Sequence, residues 1–109
     1  MARYLFVVLA NAKDGQEEEF NDFYSNTHIP DVLKVPGMKS AERFVLAGPQ
    51  RMSIPSPFKY LAIYQVETDD LASVAADIAE RSGTEAMPTN QHISQNPKFA
   101  YFFQPLDGE

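Results

Sequence analysis

Glu19-Phe20-Asn21-Asp22-Phe23-Tyr24-Ser25-Asn26-Thr27-His28-Ile29-Pro30-Asp31, with Val35-Pro36-Gly37 and Ala41-Glu42-Arg43-Phe44 close behind, is the stretch on which this chain's reading turns. Phe20, Phe23, Tyr24 and Thr27 recur at helical spacing and mark one inward face. Glu17, Glu18 and Glu19 suit the positive end of a helix that begins at Asp14 or Gly15. Pro30 lacks an N–H and biases Ile29 away from the α region, which predicts that this helix ends or kinks near His28. Asp31 to Val35 then reads as a short helical turn closed by Pro36-Gly37. Tyr24 and His28 stand at i,i+4, so their side chains can meet.

Strands flank this helix. Tyr4 to Ala10 is β-branched and aromatic on both faces and reads as a central strand covered on both sides. A second strand runs from about Met38 to Leu46, with Met38, Ser40, Glu42, Phe44 and Leu46 expected on one face and Lys39, Ala41, Arg43 and Val45 on the other. Gly48 to Pro57, rich in proline and serine, reads as a long hairpin loop. The third strand spans about Phe58 to Val66. Asp69-Asp70 caps a second helix carrying Leu71, Val74, Ala75 and Ile78 at helical spacing, which ends near Ser82-Gly83. Glu85 to Pro97 is a polar loop, and Phe99 to Phe103 is the last strand.

The order β-α-β-β-α-β is the split βαβ arrangement, a ferredoxin-like α+β fold with two helices on one face of a four-stranded antiparallel sheet. If Leu5, Val7, Leu61, Ile63 and Phe102 face the helices, the open face carries Tyr4, Phe6 and Val8. Phe44, Tyr60, Tyr64, Tyr101 and Phe103 would share it. Such an aromatic face is too large to leave in water. A homodimer, its two sheets curved round a cavity, is the expected cover.

The 109 residues fit a single domain spanning 1–109, and 44% hydrophobic content is ordinary for a folded protein. Cysteine is absent, which excludes disulfides and thiolate chemistry and points to a reducing cytoplasm. A net charge of −6 and the lack of a Lys/Arg run argue against nucleic acid as a partner. The longest apolar run is too short for a membrane span, and no secretory leader is expected. Two distant histidines form no metal-ligand pattern, and no glycine-rich nucleotide cradle or Gly-x-Ser-x-Gly elbow occurs, so neither a metal nor a cofactor is expected.

Tyr24, His28-Ile29-Pro30, Val35-Pro36-Gly37 and Arg43-Phe44, taken with the strand order, resemble the dimeric α+β barrel superfamily and within it the EthD-like proteins. The motif covers roughly a quarter of the chain and the strand order nearly all of it. The resemblance implies a dimeric barrel. It also implies one of several activities: cyclisation of polyketides, isomerisation, dehydration or decarboxylation of aromatic compounds, or cofactor-independent oxygenation. The tryptophan of haem-degrading relatives is missing, since the chain has no Trp.

His28 is the sharpest candidate for chemistry, because imidazole both accepts and donates a proton near neutrality. The plainer role is a cap on the first helix's last carbonyls. Tyr24 orients it or donates to a substrate, or is simply a core aromatic. Asp31, after the proline, is the third catalytic candidate, ahead of Asp22. Phe6, Phe23, Phe44, Tyr60, Tyr64 and Tyr101 are expected to contact substrate, though the tyrosines equally suit a dimer interface. Arg43 offers a fork of donors for a carboxylate or enolate, or pairs with an acidic residue of the first helix. His92 reads as a surface residue of the polar loop.

These residues lead to a cofactor-independent enzyme in which His28 moves a proton on a small aromatic, phenolic or polyketide-like compound, a lyase, isomerase or cyclase. The alternatives are a non-catalytic hydrophobic small-molecule binder, an accessory dimer, or a cofactorless monooxygenase on a hydroquinone-like substrate.

Overall fold

A computed structural model describes residues 1–94 and 99–107; the last part of the polar loop, 95–97, lies outside the described residues. The strands are β1 (Ala2–Ala10), β2 (Met38–Val45), β3 (Tyr60–Thr68) and β4 (Phe99–Phe103). They form one antiparallel sheet in the order β2-β3-β1-β4. Helices α1 (Glu17–Phe23) and α2 (Ile29–Val32), joined by a π-helical turn over Tyr24–His28, form one helical arm; α3 (Leu71–Arg81) forms the other. Both arms contribute to one core with the same sheet face, through Phe20, Tyr24, Val32 and Val74. This is the ferredoxin-like arrangement expected from the element order.

Pro30 neither ends nor breaks the first helix. The Ile29 N–H donates to the Tyr24 carbonyl five residues back, and the Leu33 N–H donates to the Ile29 carbonyl, so the arm runs on to Val32. A proline ring clashes with the carbonyl four residues before it in an α-helix. The wider π turn just upstream relieves that clash, and Pro30 falls in the first turn of α2, where its missing N–H costs little. At the second arm, Asp70 accepts a hydrogen bond from the Ser73 N–H at 3.1 Å, the cap its position predicted. Gly37 takes φ +100°, and a Cβ there would stand 3.0 Å from Val74 Cγ2, so the Pro-Gly turn needs glycine.

The faces of β1 and β3 are the reverse of those expected. Phe6 is opposite Tyr64 and Phe102, and Val8 opposite Ala62, in the row that the helices cover. Tyr4, Phe6, Val8, Tyr60 and Tyr64 therefore lie on the helix side, with Phe102. Leu5, Val7, Leu61 and Ile63 line the open side with Phe44, Tyr101 and Phe103. Both faces of β1 and β3 are apolar, so a period of two cannot choose between them. Packing decides: the Phe20 ring meets Tyr60 at 5.2 Å between centroids. In β2, an irregularity between Met38 and Ser40 puts buried Met38 on the helix side and Phe44 on the open side, although alternation placed them together.

The long connection from β2 to β3 carries no regular structure, as expected. Asn11 fastens it, its Nδ2 donating to the Pro57 carbonyl and its Oδ1 accepting from the Lys59 N–H, each at 2.8 Å. The open face keeps large apolar groups in solvent: Phe44, Tyr101 and Phe103 are 42%, 59% and 49% exposed. Among the described residues no helix is long and apolar enough to cross a membrane.

Candidate active site

A cavity of about 220 Å³ lies between the sheet and the chain's own helices. The π turn positions its main polar wall. Its i→i+5 bonding brings residues four apart nearly into line, and the Tyr24 and His28 rings meet edge to face, 4.9 Å between centroids and 74° between planes. Phe6, Val8 and Tyr64 supply the sheet wall, Val32 and Ile78 the helical walls, and Met87, Asn90 and Ile93 the rim from the loop after α3. The cavity is not on the open face, where the aromatic residues were expected to meet a ligand.

The helical arm continues past His28, so no helix end with free carbonyls stands there for it to cap. Half-buried, His28 belongs to the cavity wall. The two phenols beside it are buried. Burial pushes the Tyr24 pKa up, while the Tyr64 hydroxyl and the Arg43 guanidinium act the other way. Burial pushes Tyr64 much higher; charge on Tyr24 and its hydrogen bonding add to this, and Arg43 opposes it. Both therefore stay protonated at physiological pH. Despite this coupling to Tyr24, the Tyr64 hydroxyl makes no hydrogen bond of ordinary geometry among the described residues.

Arg43 points to the helices, as its place in β2 implied, but it does not meet an acidic residue. Its guanidinium lies 4.4 Å from the centre of the Tyr24 ring, on β2, which does not contribute to the cavity wall. Nη2 donates to Asn21 Oδ1 at 2.9 Å and Nη1 to Ser25 Oγ at 3.1 Å. Among the described residues no carboxylate forms an ion pair with it. Burial lowers its pKa, against the opposing pull of Tyr24, Tyr64 and Tyr60.

The remaining candidates fall outside the cavity wall. Asp31 pairs with Lys34 at 3.7 Å. Tyr60 is buried beneath α1, Phe23 is half-buried, and Phe44 and Tyr101 sit on the open face. The wall residues missed from the sequence include Met87 and Asn90. Asn90 is buried and ties the loop down: its Nδ2 donates to the Phe20 carbonyl at 3.2 Å and its Oδ1 accepts from the His92 N–H at 3.0 Å. His92 is not a free surface residue, since its Nδ1 lies 2.8 Å from Gln16 Oε1 at the start of α1. Nothing in the local pattern separates Asn90 from the other polar residues of that loop. Among the described residues no group of three or more His, Asp or Glu is placed to hold a metal ion.

The chain matches no family model and no curated protein sequence. Its fold is similar to that of several solved structures. A candidate antibiotic biosynthesis monooxygenase from Nitrosomonas europaea is 15% identical, with a TM-score of 0.63 over 96% of this chain and 91% of that one. A Dabb family protein with a ferredoxin-like fold from Mesorhizobium loti is 9% identical, with a TM-score of 0.64 over 97% and 99%. An EthD family protein from Bacillus halodurans is 16% identical, with a TM-score of 0.51 over 97% and 100%. At these identities the likeness establishes the ferredoxin-like fold of the single chain, which is the fold expected from the element order.

Proposed function

We propose that this protein is a cofactor-independent enzyme that uses His28 as general acid and base on a compact aromatic or phenolic compound. The observation that carries this reading is an imidazole and a protonated phenol sharing one wall of a mostly apolar cavity. Size narrows the substrate. An apolar cavity of about 150 Å³ already admits benzene. About 220 Å³ suits one substituted ring, below the roughly 300–1,000 Å³ of pockets for drug-sized ligands.

The chemistry needs no redox partner. His28 takes a proton from a carbon beside a carbonyl, the C–H electron pair moves to the carbonyl oxygen, and Tyr24 donates a hydrogen bond to that oxygen. Return of the proton at another carbon is isomerisation; loss of a β-hydroxyl as water, with the proton supplied by the imidazolium, is dehydration. Asp31, paired with Lys34, has no direct part in this scheme. Deuterium exchange into ring-bearing ketones, followed by proton NMR, tests the proton step whatever the final product is. Exchange abolished in His28→Gln is expected; equal exchange in that variant overturns the assignment.

A second reading rests on the candidate monooxygenase in Nitrosomonas europaea that shares this fold. There His28 would deprotonate a hydroquinone-like substrate, and molecular oxygen would accept the electrons. Oxygen uptake on adding a hydroquinone separates the two. Non-catalytic binding would instead appear as ligand retained unchanged.

The exposed apolar face completes the proposal. A second copy placed face to face would cover Phe44, Tyr101 and Phe103, and burial at about 25 cal/mol per Å² of apolar area drives such pairing. The lack of cysteine fits a reducing cytoplasm.

A further inference from the structure

The cavity grades from a closed end to an open one. Tyr24, Val32 and Tyr64 in its wall are buried, and the rings of Phe6 and His28 beside them are half-buried. Phe6 meets Tyr64 at 5.6 Å between centroids and Tyr24 meets His28 at 4.9 Å, so the closed end is walled by rings. Ser82, Gly83, Thr89 and Ala100 also line the cavity, and these four are exposed and small.

Ala100 marks the sheet side of that mouth. In β4, Phe99-Ala100-Tyr101-Phe102-Phe103, it is the residue without a ring. Its register partner is Val8, another wall residue, so Ala100 stands on the helix side together with Phe102. Phe102 lies opposite Phe6 and stacks on it at 4.4 Å. In the next row of that face Ala100 puts only a methyl group beside Val8, and it stays exposed. On the helical side, a Cβ placed on Gly83 would meet, among the described residues, one atom within 4 Å, Thr89 Oγ1 at 3.7 Å.

We propose that the cavity takes a ring carrying a flexible carbon chain, the ring held among Phe6, Tyr24, His28 and Tyr64 and the chain passing out over Ala100, the residue that sets how much chain is accepted. This rests on the reading of the cavity as a ligand site and names the form of its ligand. Aromatic walls favour a ring through offset and edge-to-face contacts. The small residues of the mouth leave width for a chain, whose methylenes gain by leaving water. About 220 Å³ exceeds the roughly 150 Å³ of an apolar cavity that benzene occupies, so a bare ring does not fill it. A ring at position 100 would stand beside Val8 as Phe102 stands beside Phe6, and would close the mouth.

The test is calorimetric binding of acetophenone, butyrophenone and hexanophenone to the full chain. In wild type, affinity is expected to rise about twofold or more per added methylene from acetophenone to butyrophenone. Ala100→Leu keeps acetophenone binding close to that of wild type and loses most of the gain from longer chains. Ala100→Ser, which adds little bulk, keeps that gain. Thr89→Leu narrows the mouth from the exposed loop and loses part of it; circular dichroism checks the fold of each variant. A gain that survives in whichever of Ala100→Leu and Thr89→Leu fold overturns the chain path over Ala100. Acetophenone binding with no gain in wild type also overturns it and leaves the cavity as a ligand site. Failure of every ketone to bind overturns the ligand site and the chain path together.

Discussion

One sheet presents two aromatic faces with different fates. On the helix side, Phe6 stacks on Phe102 at 4.4 Å, and Phe20 packs on Tyr60 at 5.2 Å. On the open side, Phe99 meets Tyr101 at 4.5 Å and Phe103 at 6.4 Å, yet Tyr101 and Phe103 stay about half exposed. The rings are comparable; the cover is not. Apolar residues on both faces of β1 and β3 are silent on which face the helices cover. The chain's own helices close one face incompletely, and the space left is the cavity. The other face is the one that, in the proposal above, a second copy covers.

The sharpest way to break this contrast is to cut equal rings from the two sides. Phe20 is fully buried between Tyr24 and Tyr60. Phe20→Ala is expected to cost about 3–5 kcal/mol in urea unfolding, through lost transfer energy and the hole left behind. Tyr101→Ala is expected to cost far less in the isolated monomer, because its ring is already largely in water. Equal losses would mean that the open face is as well packed as the closed one. Tyr101→Glu is expected to shift light scattering from dimer to monomer at micromolar concentration, with the fold retained by circular dichroism. Wild-type protein that is already monomeric there would end the proposal that a second copy covers this face.

The turn between the π-containing arm and β2 sharpens the comparison, because Gly37 lies where α3 presses on the sheet's helix side. Alanine there needs a left-handed φ and meets Val74 at 3.0 Å. A loss of about 2 kcal/mol is expected for Gly37→Ala, from the strained φ and the forced shift of Val74 together. A neutral outcome would show that the second helix is not tightly seated on this face.

Much of the fold was legible because local signals agreed with one another. The Asp70 cap, the Pro36-Gly37 turn and the strand order all pointed to a split βαβ sheet, and each is present. Tyr24 and His28 were legible as neighbours because helical spacing is a local property. What the sequence hid was set by tertiary packing. Pro30 is carried through by a π turn, which no pattern of residue types announces. The faces of β1 and β3 depend on which apolar row the helices meet. Tyr64 therefore lay on the wrong side of the expected sheet, although it lines the cavity, and Asn90 was indistinguishable from solvated loop neighbours. Arg43 was legible in direction, from its place in β2, but not in partner.

The smallest expected effect tests the closed face where it is least complete. Tyr64→Phe removes a buried hydroxyl that lacks a good hydrogen bond and leaves the ring that packs against Phe6 at 5.6 Å. Removal of such a group is expected to raise stability of the ligand-free protein by about 1 kcal/mol, the reverse of Phe20→Ala. The pH dependence has the matching sign. Burial holds the Tyr64 and Tyr24 pKa values above the unfolded value of about 10. Below that pH both states keep the phenol protons, and the two tyrosines add no slope. Above it the unfolded chain releases protons that the folded chain retains, so stability falls as pH rises. Urea unfolding from pH 8 to 11 should show a shallower fall in Tyr64→Phe than in wild type. A variant less stable than wild type, with an unchanged alkaline slope, would mean that this hydroxyl is satisfied within the protein.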